Sequence, residues 1–279
     1  MSDSKNLQLI TLPLVLQESI LPRRAGPKSV HRSYGRGDNK VSITVSGGYC
    51  KGEQLCVPAS VLGRRLFYWM VSEVRRTGNP VVEFSGCPEM FETLGLTLTS
   101  KQRRRLKNEV LRIAYMNITI EAFPNRKEML VLPNVSVFKF VHLHDLLLNE
   151  HQLSLFKSRL EFTEAFTESI LSLKHQPIDA SVINQLTSPL AIDIYLWLAR
   201  RVQTVNHRQE FNFGLMKQQF GKPGERTAEF KKLFIPAFKS AAKHIKIFDR
   251  PPALSNNGVV LYLSPQQVDS KPRPGGGWG

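Results

Sequence analysis

One order of predicted elements occurs twice in this sequence of 279 residues, and this duplication limits the folds that the chain can adopt. Residues 66–120 and residues 195–248 are each predicted as a helix, a strand, a short helix, a long basic helix and a further strand. A glycine closes the short helix in both copies, at Gly95 and at Gly221. A repeat of this size predicts two copies of one domain rather than one larger domain.

Apolar spacing and helix-capping residues define the elements of the first copy. The predicted helices cover 58–77, 88–94, 100–116 and 145–172. The predicted strands cover 81–84, 116–123, 128–132 and 135–143, and the alternation of residues 41–45 predicts a further strand before the first helix. Pro58 suits the first turn of the first helix, and Ser100 or Thr99 suits the N-cap of the long one. The second and third strands form a hairpin with Arg126 and Lys127 near its tip.

The second copy begins with an N-cap, Ser188, followed by Pro189 at the first helical position, and this helix runs to about Val202. The remaining predicted helices cover 213–220 and 226–244. The predicted strands cover 209–213, 246–248 and 259–263. Pro236 predicts that the last helix is kinked or divided in two.

The net charge is +15 and the pI is near 9.9, which indicates a polyanionic partner. Residues 101–127 hold eight basic and two acidic side chains, and residues 222–250 hold eight basic and three acidic ones. These two segments contribute +11 of the total, whereas residues 141–185 carry a net charge of −3. An evenly solvated basic surface does not sort its charge in this way, so the pattern favours nucleic-acid binding by the same part of each copy.

Three helices followed by a β-hairpin predict a winged helix-turn-helix, in which the third helix enters the major groove of DNA. Arginine and asparagine can read guanine and adenine edges, whereas lysine mainly anchors phosphates. The first copy is therefore predicted to be the specific reader and the second the anchor. The candidate DNA-binding residues are Lys101, Arg104, Arg105, Asn108, Arg112, Arg126, Lys127, Lys232, Lys239, Lys243 and Lys246.

The sequence thus predicts an α+β protein with tandem winged helix-turn-helix domains, a flexible N-terminal arm and a C-terminal tail. The predicted divisions are an arm or linker at 1–50, a first winged-helix domain with a linking helix at 51–175, a second winged-helix domain at 176–264 and a disordered tail at 265–279. Three cysteines without a CxxC pattern predict neither a metal site nor a disulfide framework, and we expect no cofactor. We expect a cytoplasmic protein without a membrane partner, because the chain has no run of about 18 apolar residues.

Two more specific functions remain open for this predicted DNA-binding protein. One is a transcriptional repressor of the same fold, which would bind DNA to control a gene. A metal-dependent nicking initiator would use the His-hydrophobic-His pattern of His142 and His144 with a tyrosine nucleophile such as Tyr195. The apolar neighbours of Tyr195 indicate a core position, and a pattern of three residues is weak, so we expect a protein that is not an enzyme.

Two stretches resemble the RepA-type plasmid replication initiators. Residues 66–77, followed by Phe91-Glu-Thr-Leu-Gly-Leu96, resemble their N-terminal module. Residues 186–200 contain the more specific pattern Ser-Pro-Leu-Ala-x-Asp-x-Tyr-x-Trp-Leu. The resemblance covers about residues 55–250 and reaches neither the first 50 residues nor the tail.

The resemblance implies tandem winged helices that bind repeated sites in double-stranded DNA at a plasmid origin and promote its opening. It also implies recruitment of the host initiator and the replicative helicase, and exchange between monomer and homodimer, with the dimer repressing its own gene. No individual DNA contact is carried over from the family, so the candidate residues depend on helix position and charge.

Overall fold

The computed structural model describes residues 9–17, 20–34, 41–84, 94–95, 99–125, 128–142, 158–172, 175–202, 205, 207–245 and 250–262. These residues combine α-helices with antiparallel sheets, which confirms the predicted α+β class. Contacts within the chain divide it into two compact units, unit 1 at Met1–Pro189 and unit 2 at Leu190–Gly279.

Unit 1 contains most of the strands. Its described helices are α1 (Val61–Thr77), α2 (Ser100–Ala114), α3 (Glu164–Ser172) and α4 (Ala180–Gln185), with a 3₁₀ helix at Leu14–Gln17. Its described strands are β1 (Leu9–Pro13), β2 (Ser29–Tyr34), β3 (Val41–Gly47), β4 (Tyr49–Cys50), β5 (Glu53–Gln54), β6 (Val81–Phe84), β7 (Met116–Asn125), β8 (Glu128–Ser136), β9 (Phe138–His142), β10 (Ser158–Phe162) and β11 (His175–Asp179). The short helix predicted over 88–94 lies outside the described residues except for Leu94.

Two predicted boundaries in unit 1 change. Helix α1 begins at Val61 rather than at Pro58, because the hydroxyl of Ser60 accepts a hydrogen bond from the amide of Gly63 and caps the helix. The stretch 145–172, predicted as helical, holds strand β10 before helix α3. Strand pairing overrides local helical preference there, because β10 is the central strand of a sheet.

The described helices of unit 2 and its strands at Gln209–Asn212 and Gly258–Leu261 follow the predicted order, whereas the short strand at Ala253–Leu254 was not predicted. The described elements of unit 2 are α5 (Pro189–Val202), which begins at the unit boundary, β12 (Gln209–Asn212), α6 (Phe213–Phe220), α7 (Thr227–Ala242), β13 (Ala253–Leu254) and β14 (Gly258–Leu261). Helix α7 is not divided at Pro236, which lies on its exposed side, where water can bond the carbonyl that loses its partner. The strand predicted over 246–248 and the tail predicted over 265–279 lie outside the described residues.

Each unit has a three-stranded antiparallel sheet with the same strand order. In unit 1 the order is β6–β10–β9, and in unit 2 it is β12–β14–β13. Strand β6, which follows α1, pairs with β10, and strand β12, which follows α5, pairs with β14. In each sheet the paired strand is also the last of the three along the chain. The counterpart of the β13–β14 pair is therefore the β9–β10 pair.

This strand order corrects the predicted wing of the first copy. Strands β7 and β8 do form the expected hairpin, but β7 pairs with β3 in a separate sheet of order β2–β3–β7–β8. Ile118 and Ile120 on β7 are buried in this sheet together with Ile43 and Val45 on β3. The hairpin is placed by this apolar face and not by pairing with β6.

The described part of the stretch 1–50 is also built into unit 1, contrary to the predicted flexible arm. Strand β1 pairs with β11, and β2 extends the sheet of β3 and β7. The correction applies to residues 9–17 and 20–34, whereas the strand predicted over 41–45 is confirmed. These residues are held in unit 1 by burial, because β1 buries Leu12 and β3 buries alternate apolar residues, which a mobile arm could not do.

The boundary between the units lies at residues 189 and 190, whereas the sequence placed the start of the second domain at residue 176. Two contacts hold the intervening residues in unit 1. Strand β11 pairs with β1, and the guanidinium of Arg65 on α1 donates to the carbonyls of Asn184 at 2.7 Å and Leu186 at 3.3 Å. The assignment of a winged helix to each unit stays a prediction.

A glycine in strand β14 permits the sheet of unit 2 to form. A Cβ at Gly258 would overlap the carbonyl oxygen of Phe211 on β12, and Gly258 also donates its amide to the hydroxyl of Ser255 at 3.0 Å. We expect Gly258→Ala to lower the free energy of unfolding by roughly 2–4 kcal/mol, because backbone must move to make room. Chemical denaturation measures this, with the exposed Asn256→Ala as the control; equal midpoints for both variants would contradict the expectation.

Candidate nucleic-acid interface

Helix α2 has the two faces that its sequence predicted. Leu106, Val110 and Ile113 are fully buried and face the core that α2 shares with α1. The cations and amide on the other side, namely Lys101, Arg104, Arg105 and Asn108, are exposed. Thr99 caps the helix by accepting a hydrogen bond from the amide of Gln102, so one of the two predicted caps is confirmed.

A groove of about 520 Å³ runs between the N-terminal turns of α1 and the basic face of α2. Arg105, Asn108 and Arg112 line it from α2, and Arg65 lines it from α1. The candidate residues of α2 therefore fall into two sets, since Lys101 and Arg104 do not line this groove. No ion-pair partner is found for Arg104 or Arg105 within the described part of the chain, so both charges are available to a ligand.

Arg112 differs from its neighbours because it is held by a carboxylate. Its Nη1 donates to Oε1 of Glu109 at 2.9 Å, and its side chain is 30% exposed while that of Glu109 is 6% exposed. Oε2 of Glu109 is buried and has no hydrogen-bond donor among the described residues. A Cβ at Gly63 on α1 would overlap this oxygen, so the carboxylate lies where α1 and α2 approach each other closely.

Two arginines of α1 belong to the structure around the groove, although the sequence did not identify them. Arg64 is fully buried and donates to the carbonyls of Ala59, Leu21 and Pro22 at 2.9–3.2 Å. Arg65 donates to main-chain carbonyls, and its burial lowers the pKa of its guanidinium. Their place on an apolar helix face was the available signal, since an arginine there must satisfy its donors inside the fold.

The candidate residues of unit 2 lie on helix α7 and just after it. Lys232, Lys239 and Lys243 are exposed, and none of them has an ion-pair partner among the residues that the structure describes. Leu233, which follows Lys232 in the sequence, is 42% exposed. This face has no arginine or asparagine, so its chemistry suits phosphate contacts more than the reading of base edges.

A second groove, of about 570 Å³, lies in unit 2 between the first turns of α6 and α7 and the turn before β14. Lys231, Asn256 and Asn257 line it, and Nζ of Lys231 lies 4.3 Å from the centroid of the Phe213 ring. The hydroxyl of Ser255 holds the turn by accepting from the amides of Asn257 and Gly258. These two hydrogen bonds hold the backbone of the turn, whose Asn256 and Asn257 line the same groove as Lys231 of α7.

Three candidate residues, Arg126, Lys127 and Lys246, lie outside the described residues. His144 of the nicking alternative lies outside them too. Tyr195 is 6% exposed within α5, which agrees with the predicted core position. The described ranges contain no group of three or more His, Cys, Asp or Glu side chains that could hold a metal ion. No helix in those ranges is long and apolar enough to cross a membrane.

The described residues define a two-unit α+β protein in which each unit has an exposed cationic helix face. The family described as "Plasmid encoded RepA protein" matches residues 90–214, from the segment before α2 to the start of α6. This match confirms the resemblance to RepA-type plasmid replication initiators that the sequence motifs indicated.

Two solved structures share the fold. The crystal structure of domains 2 and 3 of RctB has a TM-score of 0.53 at 10% identity, over 88% of this chain and 94% of that chain. A structure of selenomethionine derivatives of the same two domains has a TM-score of 0.52 at 9% identity, over 86% of each chain. At such low identity the likeness concerns the fold alone. No curated protein sequence matches this chain.

Proposed function

We propose that this protein initiates plasmid replication by binding double-stranded origin DNA with helix α2 of unit 1 and helix α7 of unit 2. The observation that carries the proposal is the pair of exposed cationic faces on these two helices. At least five of their cations, Arg104, Arg105, Lys232, Lys239 and Lys243, have no acidic partner among the described residues. The family match over residues 90–214 supports a replication initiator as the class of protein.

Each unit would contribute differently to the complex. Arg105, Asn108 and Arg112 line one groove and suit bidentate contacts with guanine and adenine. The lysines of α7 suit phosphates, which set register and affinity without reading sequence. Unit 1 would then select the site and unit 2 would strengthen the complex. Binding at repeated sites would favour opening of the origin.

The salt dependence of binding tests whether these cations meet phosphates. We expect the logarithm of the association constant to fall with the logarithm of salt concentration with a slope of about −5 to −6, because contact with six or seven phosphates releases their counterions. Fluorescence anisotropy on a duplex from the DNA flanking its gene measures the slope. A slope near −1 would contradict binding through both helices.

A footprint on the same flanking DNA separates the two DNA-binding functions. Protection of several direct repeats would support the initiator, whereas protection of a single palindrome would support a repressor of the same fold. We further propose, from the resemblance alone, that the host initiator, the replicative helicase and a second copy of the chain are partners, that the protein acts in the cytoplasm, and that it is not an enzyme.

A further inference from the structure

The pair formed by Glu109 and Arg112 has a feature that stability does not explain. Glu109 places a carboxylate between α1 and α2, where only one of its two oxygens has a hydrogen-bond donor in the described structure. A buried acceptor without a donor costs about 1–3 kcal/mol, and glutamine or an apolar residue of similar size would avoid the charge. The residue therefore calls for a role other than holding the helices together.

The geometry of Arg112 indicates what that role is. The Arg112 side chain is 30% exposed and lines the groove beside Arg105 and Asn108, while one nitrogen is bound at 2.9 Å to Glu109. A free arginine samples many rotamers and binds any phosphate within reach, whereas a guanidinium fixed at one end presents its remaining donors in one direction. Glu109 also places a negative charge beside the cationic face, which weakens attraction to phosphates in general.

We infer that Glu109 is a positioning residue for DNA selectivity: it holds Arg112 in the groove so that this guanidinium meets base edges, and its charge lowers affinity for DNA of unrelated sequence. This inference deepens the proposed function and depends on it. The role requires the carboxylate of Glu109 to be buried, because a fully solvated carboxylate would not hold the guanidinium in one place.

The test compares two duplexes. One carries the site that the wild-type full-length protein selects from a pool of random sequences, and the other carries the same bases in shuffled order. In Glu109→Gln the amide keeps the shape of the side chain and removes its charge. We expect affinity for the shuffled duplex to rise roughly two- to fivefold, because a repulsive charge is removed. We expect the ratio of affinities for selected and shuffled duplexes to fall about five- to tenfold.

The chain offers a matched control on α1. Glu73 and Arg76 are also three residues apart and ion-paired, at 2.6 Å, but the Arg76 side chain is 69% exposed and the pair does not line the groove. Glu73→Gln removes the same charge, and we expect it to leave the ratio of affinities within about twofold of wild type. A similar fall in both variants would overturn the inference, because net charge alone would then explain the change.

A double-mutant cycle separates positioning from a structural role. In the Arg112→Ala background, we expect Glu109→Gln to leave the ratio of affinities unchanged, since the residue acts through Arg112. Thermal unfolding of Glu109→Gln should occur at the wild-type temperature or above it.

An unchanged ratio in the single variant, or a lower unfolding temperature with equal loss on both duplexes, would overturn the inference. A wild-type protein that does not distinguish the duplexes would instead overturn the proposed function, and this inference with it.

Discussion

Replacing Arg104, Arg105 and Arg112 together by alanine is expected to weaken binding to the selected DNA site by at least about a thousandfold. Each bidentate contact to a base is worth about 1–3 kcal/mol, and each lost phosphate contact adds to this. Helix α2 should still form, because the three side chains lie outside its buried stripe and alanine is the best helix former. Loss of the Arg112 donor leaves the buried carboxylate of Glu109 unpaired, so we expect a lower free energy of unfolding without loss of the fold. Anisotropy titrations measure the binding, and circular dichroism measures the fold.

The control for this variant removes arginines from the opposite end of α1. Arg75 and Arg76 are exposed in its last turn, roughly 15–20 Å along the helix from the groove. Replacing both by alanine should cost less than about threefold per charge, as expected for charges far from the ligand. Normal binding by the triple variant, or equal losses per charge in both variants, would mean that α2 does not read DNA.

Replacing Phe234 by alanine is expected to destabilise unit 2 by about 3–5 kcal/mol. The ring is fully buried, and its centroid lies 5.0 Å from that of Phe230 and 5.8 Å from that of Phe220. The rings of Phe213 and Phe238 are 6.2 Å and 5.9 Å away. Alanine would leave a cavity in the middle of this cluster, which the surrounding rings can fill only in part. Urea denaturation measures the loss.

The neighbouring residue is the natural control for Phe234. Leu233 lies on the same helix and is 42% exposed, so Leu233→Ala should cost no more than about 1 kcal/mol. Equal losses from Phe234→Ala and Leu233→Ala would mean that the aromatic cluster is not the core of unit 2. A loss confined to unit 2, with the unfolding of unit 1 unchanged, agrees with two compact units.

Much of the local structure could be predicted because its causes lie within a few residues. Thr99 caps α2 by accepting from the amide of Gln102, and Pro189 occupies the first position of α5. The buried stripe of Leu106, Val110 and Ile113 follows from the spacing of these apolar residues, which matches the 3.6 residues per turn of an α-helix. The exposed charges of α2 follow from the same period, and so part of the candidate site was predicted as well.

The partners of the strands could not be predicted, because pairing joins residues that are far apart in the sequence. Val82 pairs with Leu160, so the counterpart of the β13–β14 pair is β9–β10 and not the hairpin of β7 and β8. The ion pair of Glu109 with Arg112 is compatible with the sequence, since residues three apart on a helix are neighbours. The burial of Glu109 against Gly63 depends on the crossing of two helices, which no local pattern encodes.

The sequence by itself determined the order of the described long helices and of the strands that follow the first helix of each copy, together with the basic helix in each copy and the different chemistry of the two basic faces. These properties follow from periodicity, capping and side-chain type, which act over a few residues. Only the tertiary structure decided that residues 9–17 and 41–50 complete unit 1, that Arg112 is held by a buried carboxylate, and that Tyr195 is hidden in a helix core. Burial and strand pairing decide these features, and both depend on contacts between distant parts of the chain.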